Sequence, residues 1–185
     1  RKVVALETPD YVPIEHVVTP ELAIEYAGYP MFEGLWDTSL IIDAMGKAIP
    51  AYDGDFIRST FYRSPRYYSA LEAKSFVQSK EGYVQHPEVH AMEDTEYAEL
   101  IADPAAFLAG TCLPRLYQVF DKPEPYRGMA LARGMMTFNR TFGPFNAAVG
   151  QILADNGLPL ITSASAEAPF DFLADLLRSF TGISK

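Results

Sequence analysis

The sequence predicts an α/β fold with a parallel sheet, and three observations lead there. Short apolar, β-rich runs alternate with amphipathic helical stretches along the chain. Helix-start signals follow the first and last of those runs. With 49% hydrophobic and 21% charged content, 185 residues are enough to bury a proper core. Successive strands joined through helices run parallel, with right-handed crossovers.

The first element is Tyr11-Val12-Pro13-Ile14-Glu15-His16-Val17-Val18, short and rich in β-formers. Thr19-Pro20-Glu21 then supplies an N-cap with proline at the first helical position. A second helix is predicted from near Asp37, because Leu40, Ile41, Ala44, Met45 and Ala48 recur at helical spacing until Pro50. Asp53-Gly54 turns the chain into residues 55–60, a second strand. Residues 62–92 show no sustained period and read as an irregular excursion holding a hairpin or a short helix around 70–76.

Asp94-Thr95-Glu96 and Asp103-Pro104 are successive helix starts, and Pro114 is expected to kink the apolar stretch that follows. Residues 127–142 read as helix up to Gly143-Pro144, where a new helix begins with Phe145, Ala148, Val149, Ile152 and Leu153 on one stripe. Asn156-Gly157 ends it. Leu158-Pro159-Leu160-Ile161-Thr162 has the composition of a strand buried on both faces, and Pro169 opens a last helix carrying Phe170, Leu173, Leu176, Leu177 and Phe180.

A net charge of −9 and a pI near 4.8 oppose the basic footprint that nucleic-acid binding requires, and an acidic surface repels anionic lipid. The sequence lacks an apolar run of about 18 residues and an apolar leader near Arg1. A lone cysteine, Cys112, forms no internal disulfide, which fits a reducing, cytoplasmic setting. Opening on Arg1 without methionine suggests that residues precede it.

Residues 8–14, 96–108 and 158–182, taken in order, resemble the uroporphyrinogen decarboxylase superfamily. Thr8-Pro9-Asp10-Tyr11-Val12-Pro13-Ile14 is similar to the family's opening into its first strand. Residues 96–108, from Glu96-Tyr97-Ala98-Glu99 through Asp103-Pro104 to Phe107-Leu108, resemble a segment of the branch that contains corrinoid-dependent methyltransferases. Leu158-Pro159-Leu160-Ile161, Ala168-Pro169-Phe170 and Arg178-Ser179-Phe180-Thr181-Gly182 resemble the family's strand, helix start and glycine-ending helix. The resemblance implies the N-terminal part of a (β/α)8 barrel, incomplete here, since such a barrel takes about 250 residues. It implies an enzyme of tetrapyrrole or corrinoid-linked chemistry whose partners are a small molecule or a corrinoid protein. A half-barrel would also leave parallel edges for a second copy to cover.

Departures from the family favour methyl transfer over decarboxylation. The decarboxylases carry Arg-Gln-Ala-Gly-Arg-Tyr after the first strand, to hold substrate carboxylates by bidentate bonds, where this chain reads Val17-Val18-Thr19-Pro20-Glu21. Arg63-Ser64-Pro65-Arg66-Tyr67 is only superficially alike, lying after the second strand with its arginines one residue closer together. Asp175 stands where the decarboxylases have a functional tyrosine, and a carboxylate does not replace a neutral hydroxyl. A corrinoid is therefore the implied methyl donor or acceptor. Zinc, which activates a thiol in part of that branch, would enter through His-x-Cys and Cys ligands of the later barrel half, beyond these residues. Decarboxylation of uroporphyrinogen and a non-catalytic binding module are the alternatives.

Active sites of such folds gather where strands end and helices begin. His16 and Arg58 are accordingly catalytic candidates, with Asp175 added by the resemblance at the family's tyrosine position, and Glu15, Ser163 and Glu167 are the cofactor-binding ones. Each has a plainer reading. His16 serves equally as a hydrogen-bonded structural histidine, Arg58 as half of a surface ion pair, and Asp175 as partner to Arg178 on an exposed face. His86 and His90, four apart, are separated by Pro87 and read as loop residues before metal ligands. The acidic run from Glu93 to Asp103 reads as a solvated helix face, and Cys112 and Phe145 as core.

Overall fold

Thr19 accepts a hydrogen bond from the Leu22 amide through its hydroxyl, and Pro20 follows with its φ already helical, so a helix starts where the sequence places it. The same logic holds at Asp37, whose carboxylate caps the Ser39 amide, and at Asp103, which caps Ala106. The computed structural model describes residues 2, 5–58, 62–161 and 168–184. Its helices are α1 (Pro20–Ala27), α2 (Met31–Trp36), α3 (Thr38–Ala48), α4 (Pro65–Ala70), α5 (Tyr97–Ala102), α6 (Pro104–Phe107), α7 (Leu113–Leu116), α8 (Tyr126–Asp155), α9 (Pro169–Phe172) and α10 (Phe180–Ile183). The strands are β1 (Glu15–His16), β2 (Phe56–Arg58), β3 (Val77–Gln78), β4 (Val84–Gln85) and β5 (Leu160–Ile161).

The chain divides into two units, one formed by residues 1–62 and 142–163, the other by residues 63–141 and 164–185. In the first unit, β1 pairs with β2 and β2 with β5, all parallel, with Glu15 opposite Phe56 and Ile57 opposite Leu160. Helix α1 lies against α2 and α3, and Ile24, Leu35, Ile41, Met45 and Ile49 are fully buried among them. Phe145 is 1% exposed and packs on Tyr62, ring centroids 5.1 Å apart, while the Tyr62 hydroxyl donates to the Leu35 carbonyl at 2.7 Å.

The second unit is built on a core of Ala91, Met92, Phe107, Cys112, Leu116 and Leu177. The Ala91 and Met92 amides both donate to the Leu177 carbonyl, at 2.8 and 2.9 Å, which ties the chain before α5 to the C-terminal segment. A two-stranded antiparallel sheet, β3 with β4, completes the unit and pairs Val77 with Gln85.

The barrel portion expected from the sequence is corrected by this architecture. The fold is mostly helical, and among the described residues the sheets are one of three strands and one of two, each strand two or three residues long. Pro13 and Pro159 stand just before β1 and β5, where they offer no amide to lengthen a ladder. The break expected at Gly143-Pro144 is also absent, because α8 runs unbroken for 30 residues with Pro144 inside it. An interior proline costs about 3 kcal/mol. Burial of Phe145, Val149 and Leu153 just beyond it, at roughly 1.5–3 kcal/mol each, outweighs that cost. The irregular excursion resolves into α4 and the β3–β4 hairpin.

Candidate functional site

The hairpin sets one wall of a cavity in the second unit. Gly82, at φ +99°, makes the turn that a side chain would strain; its amide donates to the Ser79 carbonyl, and the Gln78 side chain donates to the Gly82 carbonyl. Continuing the Val77–Gln85 register by one residue puts Phe76 opposite His86, so their side chains leave the ribbon side by side. Their rings are 4.6 Å apart at 30°. Tyr68 of α4 lies 4.6 Å from the Phe76 ring at 31°, and the Arg63 guanidinium sits 5.4 Å from the same ring centroid. Burial pushes the Tyr68 hydroxyl up to about 12, with Tyr117 adding to it, so this phenol stays neutral.

The opposite wall comes from residues Leu173–Arg178, where α9 widens into a π-helical stretch, a form that recurs at functional sites. It turns Leu177 and Arg178 inward and leaves Asp175 exposed beside the half-buried Leu176. Arg63, Phe76, Val84, His86, Asp175 and Leu176 enclose about 290 Å³, near the lower end of the roughly 300–1,000 Å³ typical of small-molecule sites. A guanidinium, an imidazole and a carboxylate thus share one cavity with an aromatic and aliphatic lining. Such a set can anchor an anion, hold a donor group and shuttle a proton.

Next to the cavity, Ser179 ends the π-helical stretch at φ +65°, ψ 158°, a conformation that costs a non-glycine residue about 1–3 kcal/mol. Its hydroxyl accepts from the Gly182 amide at 3.1 Å, donates to Glu88 and lies 3.4 Å from His90 Nε2. Glu88 also receives the Thr181 hydroxyl and amide, and these bonds, Thr181 first, lower its carboxyl to about 2. Serine, histidine and carboxylate meet here, but the hydroxyl is committed to a cap and is 2% exposed, so the group clasps the C-terminal turn.

The candidates read from the sequence separate. Asp175 is in the cavity, and its expected pairing with Arg178 is replaced, because Arg178 is buried and pairs with Asp94. Glu15 and His16 belong to the first unit, where His16 Nε2 meets the Asp53 carbonyl at 3.1 Å and its ring lies against Gly54 and Tyr52. A methyl group added at Gly54 would stand 2.3 Å from His16 Cδ2, so that packing supports the structural reading of His16. Arg58 closes β2, and its side chain, with Ser163 and Glu167 as a whole, lies outside the described residues. His86 and His90 do not meet: one stacks on Phe76 and the other faces Ser179. Among the described residues no group of three or more potential ligands is placed to hold a metal, and no helix is long and apolar enough to cross a membrane.

Sequence reasoning missed Arg63, Phe76, Val84 and His86 as cavity residues. A signal was there in Val77-Gln78 and Val84-Gln85 around Ser79 to Gly82, which pairs as a hairpin once the turn is recognised. No family model, curated protein or solved structure matches the chain.

Proposed function

We propose that the chain belongs to an enzyme acting on a tetrapyrrole- or corrinoid-linked substrate, by methyl transfer in preference to porphyrinogen decarboxylation, with the hairpin cavity as its small-substrate pocket. The observation that carries this reading is the place of Asp175. The residue that departs from the decarboxylase pattern lines a cavity together with Arg63 and His86. About 290 Å³ is small for a whole tetrapyrrole but suits the small partner in a methyl exchange. Arg63 anchors the anionic end of that partner, Asp175 and His86 hold or move its proton, and Phe76, Val84 and Leu176 give its apolar part a surface to lie on. A bound corrinoid would supply or accept the methyl group.

The test is an optical titration of the protein with methylcobalamin and, separately, uroporphyrinogen, for the wild type and for Asp175→Asn. The reading expects a corrinoid spectral change on addition of a small methyl acceptor, and loss of that change in Asp175→Asn. Decarboxylation of uroporphyrinogen insensitive to the substitution would favour the other branch. No binding or turnover of either compound would leave a non-catalytic binding module.

A further inference from the structure

The cavity holds opposite charges that do not neutralise each other. Arg63 and Asp175 both line it, yet among the described residues neither forms an ion pair, with the other or with any third group. Elsewhere in the same unit, exposed charges within reach do pair, as Lys122 with Glu72 at 2.7 Å and Arg127 with Glu124 at 2.9 Å. The rest of the lining is Phe76, Val84, Leu176 and His86. The Arg63 guanidinium lies within cation–π reach of the Phe76 ring, 5.4 Å from its centroid, which favours that placement of its fork beside the cavity.

We propose that this cavity binds a compact ammonium carboxylate with an apolar body, of the size and kind of an aliphatic amino acid. Its carboxylate meets Arg63 through paired N–H donors, its ammonium meets Asp175, and its side chain lies along Val84 and Leu176. His86, able both to donate and to accept, completes the hydrogen bonds of either end. The inference deepens the reading of the cavity as a small-substrate pocket and rests on it, naming the class of that substrate.

Calorimetric titration with L-leucine, 4-methylpentanoate and isopentylamine tests it, since the second is leucine without its ammonium and the third leucine without its carboxylate. L-Leucine is expected to bind at least tenfold more tightly than either analogue. Arg63→Gln should erase its advantage over the amine, and Asp175→Asn its advantage over the acid. Both residues are exposed, so each variant is expected to keep its fold, which amide spectra of the hairpin would check. Equal affinity for the three compounds, or a leucine affinity unmoved by either substitution, overturns the proposal. Leucine discrimination without any response to methylcobalamin or uroporphyrinogen would support the site and sink the proposed chemistry. A corrinoid response that depends on Asp175, without leucine discrimination, would do the reverse.

Discussion

Arg178 offers the sharpest test of the packing that positions the cavity. Its side chain is 6% exposed, and it donates to the Met92 carbonyl at 3.0 Å and the Gly182 carbonyl at 3.2 Å, with Asp94 as its ion-pair partner. Replacing it by methionine keeps the stem and removes two bonds from a charged donor, each worth about 1.5–3 kcal/mol. Release of the buried charge returns part of that, so the net loss for Arg178→Met should be about 2–3 kcal/mol. Asp94 is different, because its carboxylate is 78% exposed and water screens the pair. Asp94→Ala leaves the guanidinium both carbonyl acceptors and should cost less than about 1 kcal/mol. Hydrogen exchange at the Ala91 and Met92 amides, which both bond the Leu177 carbonyl, reads the loss locally, and a double-mutant cycle gives the coupling. A loss in Asp94→Ala as large as in Arg178→Met would refute the reasoning, since the ion pair and not the carbonyl bonds would then hold the segment.

The remaining predictions concern both units. Phe145→Ala should destabilise the first unit by about 3–5 kcal/mol, read by urea unfolding followed through Trp36 fluorescence, because the ring is 1% exposed and packed on Tyr62. Arg115 grips Glu96 by two bonds, at 2.7 and 2.8 Å, and holds its carboxyl down to about 2. The folded value thus lies below the ordinary one of 4.5, so the stabilisation is complete above pH 4.5 and fades as pH falls towards 2. In Glu96→Gln that portion of the acid titration of stability should flatten, and an unchanged curve would remove the pair from the account. Burial raises the Cys112 thiol, so iodoacetamide at pH 8 should label it, by mass spectrometry, only when urea opens the second unit.

How much was legible in the sequence follows from the range of each signal. Caps act within a turn, and the starts of α1, α3 and α6 were readable from Thr19, Asp37 and Asp103 alone. Pro144 was misread for the opposite reason, since the burial that carries α8 through it comes from residues distant in sequence, such as Tyr62. Asp175 and Arg178 looked like a surface pair at helical spacing. A π-helical turn changes that spacing, and it separates the two into a cavity wall and the interior.

The same contrast explains why the candidate site was half visible. Asp175 drew notice through chemistry, as a carboxylate in a tyrosine's place, and chemistry can be read from one residue. Arg63, Phe76 and His86 matter through a cross-strand register that depends on a four-residue turn, and neither histidine spacing nor the arginine pair foretold it. His16 shows the plainer of its two readings. It stands at the end of a strand, where a catalytic residue would stand in a barrel, but with strands of two or three residues it packs against Gly54 and Tyr52. Once the barrel is set aside, position at a strand's end no longer argues for catalysis, whereas the place of Asp175 in the cavity wall does not depend on the barrel.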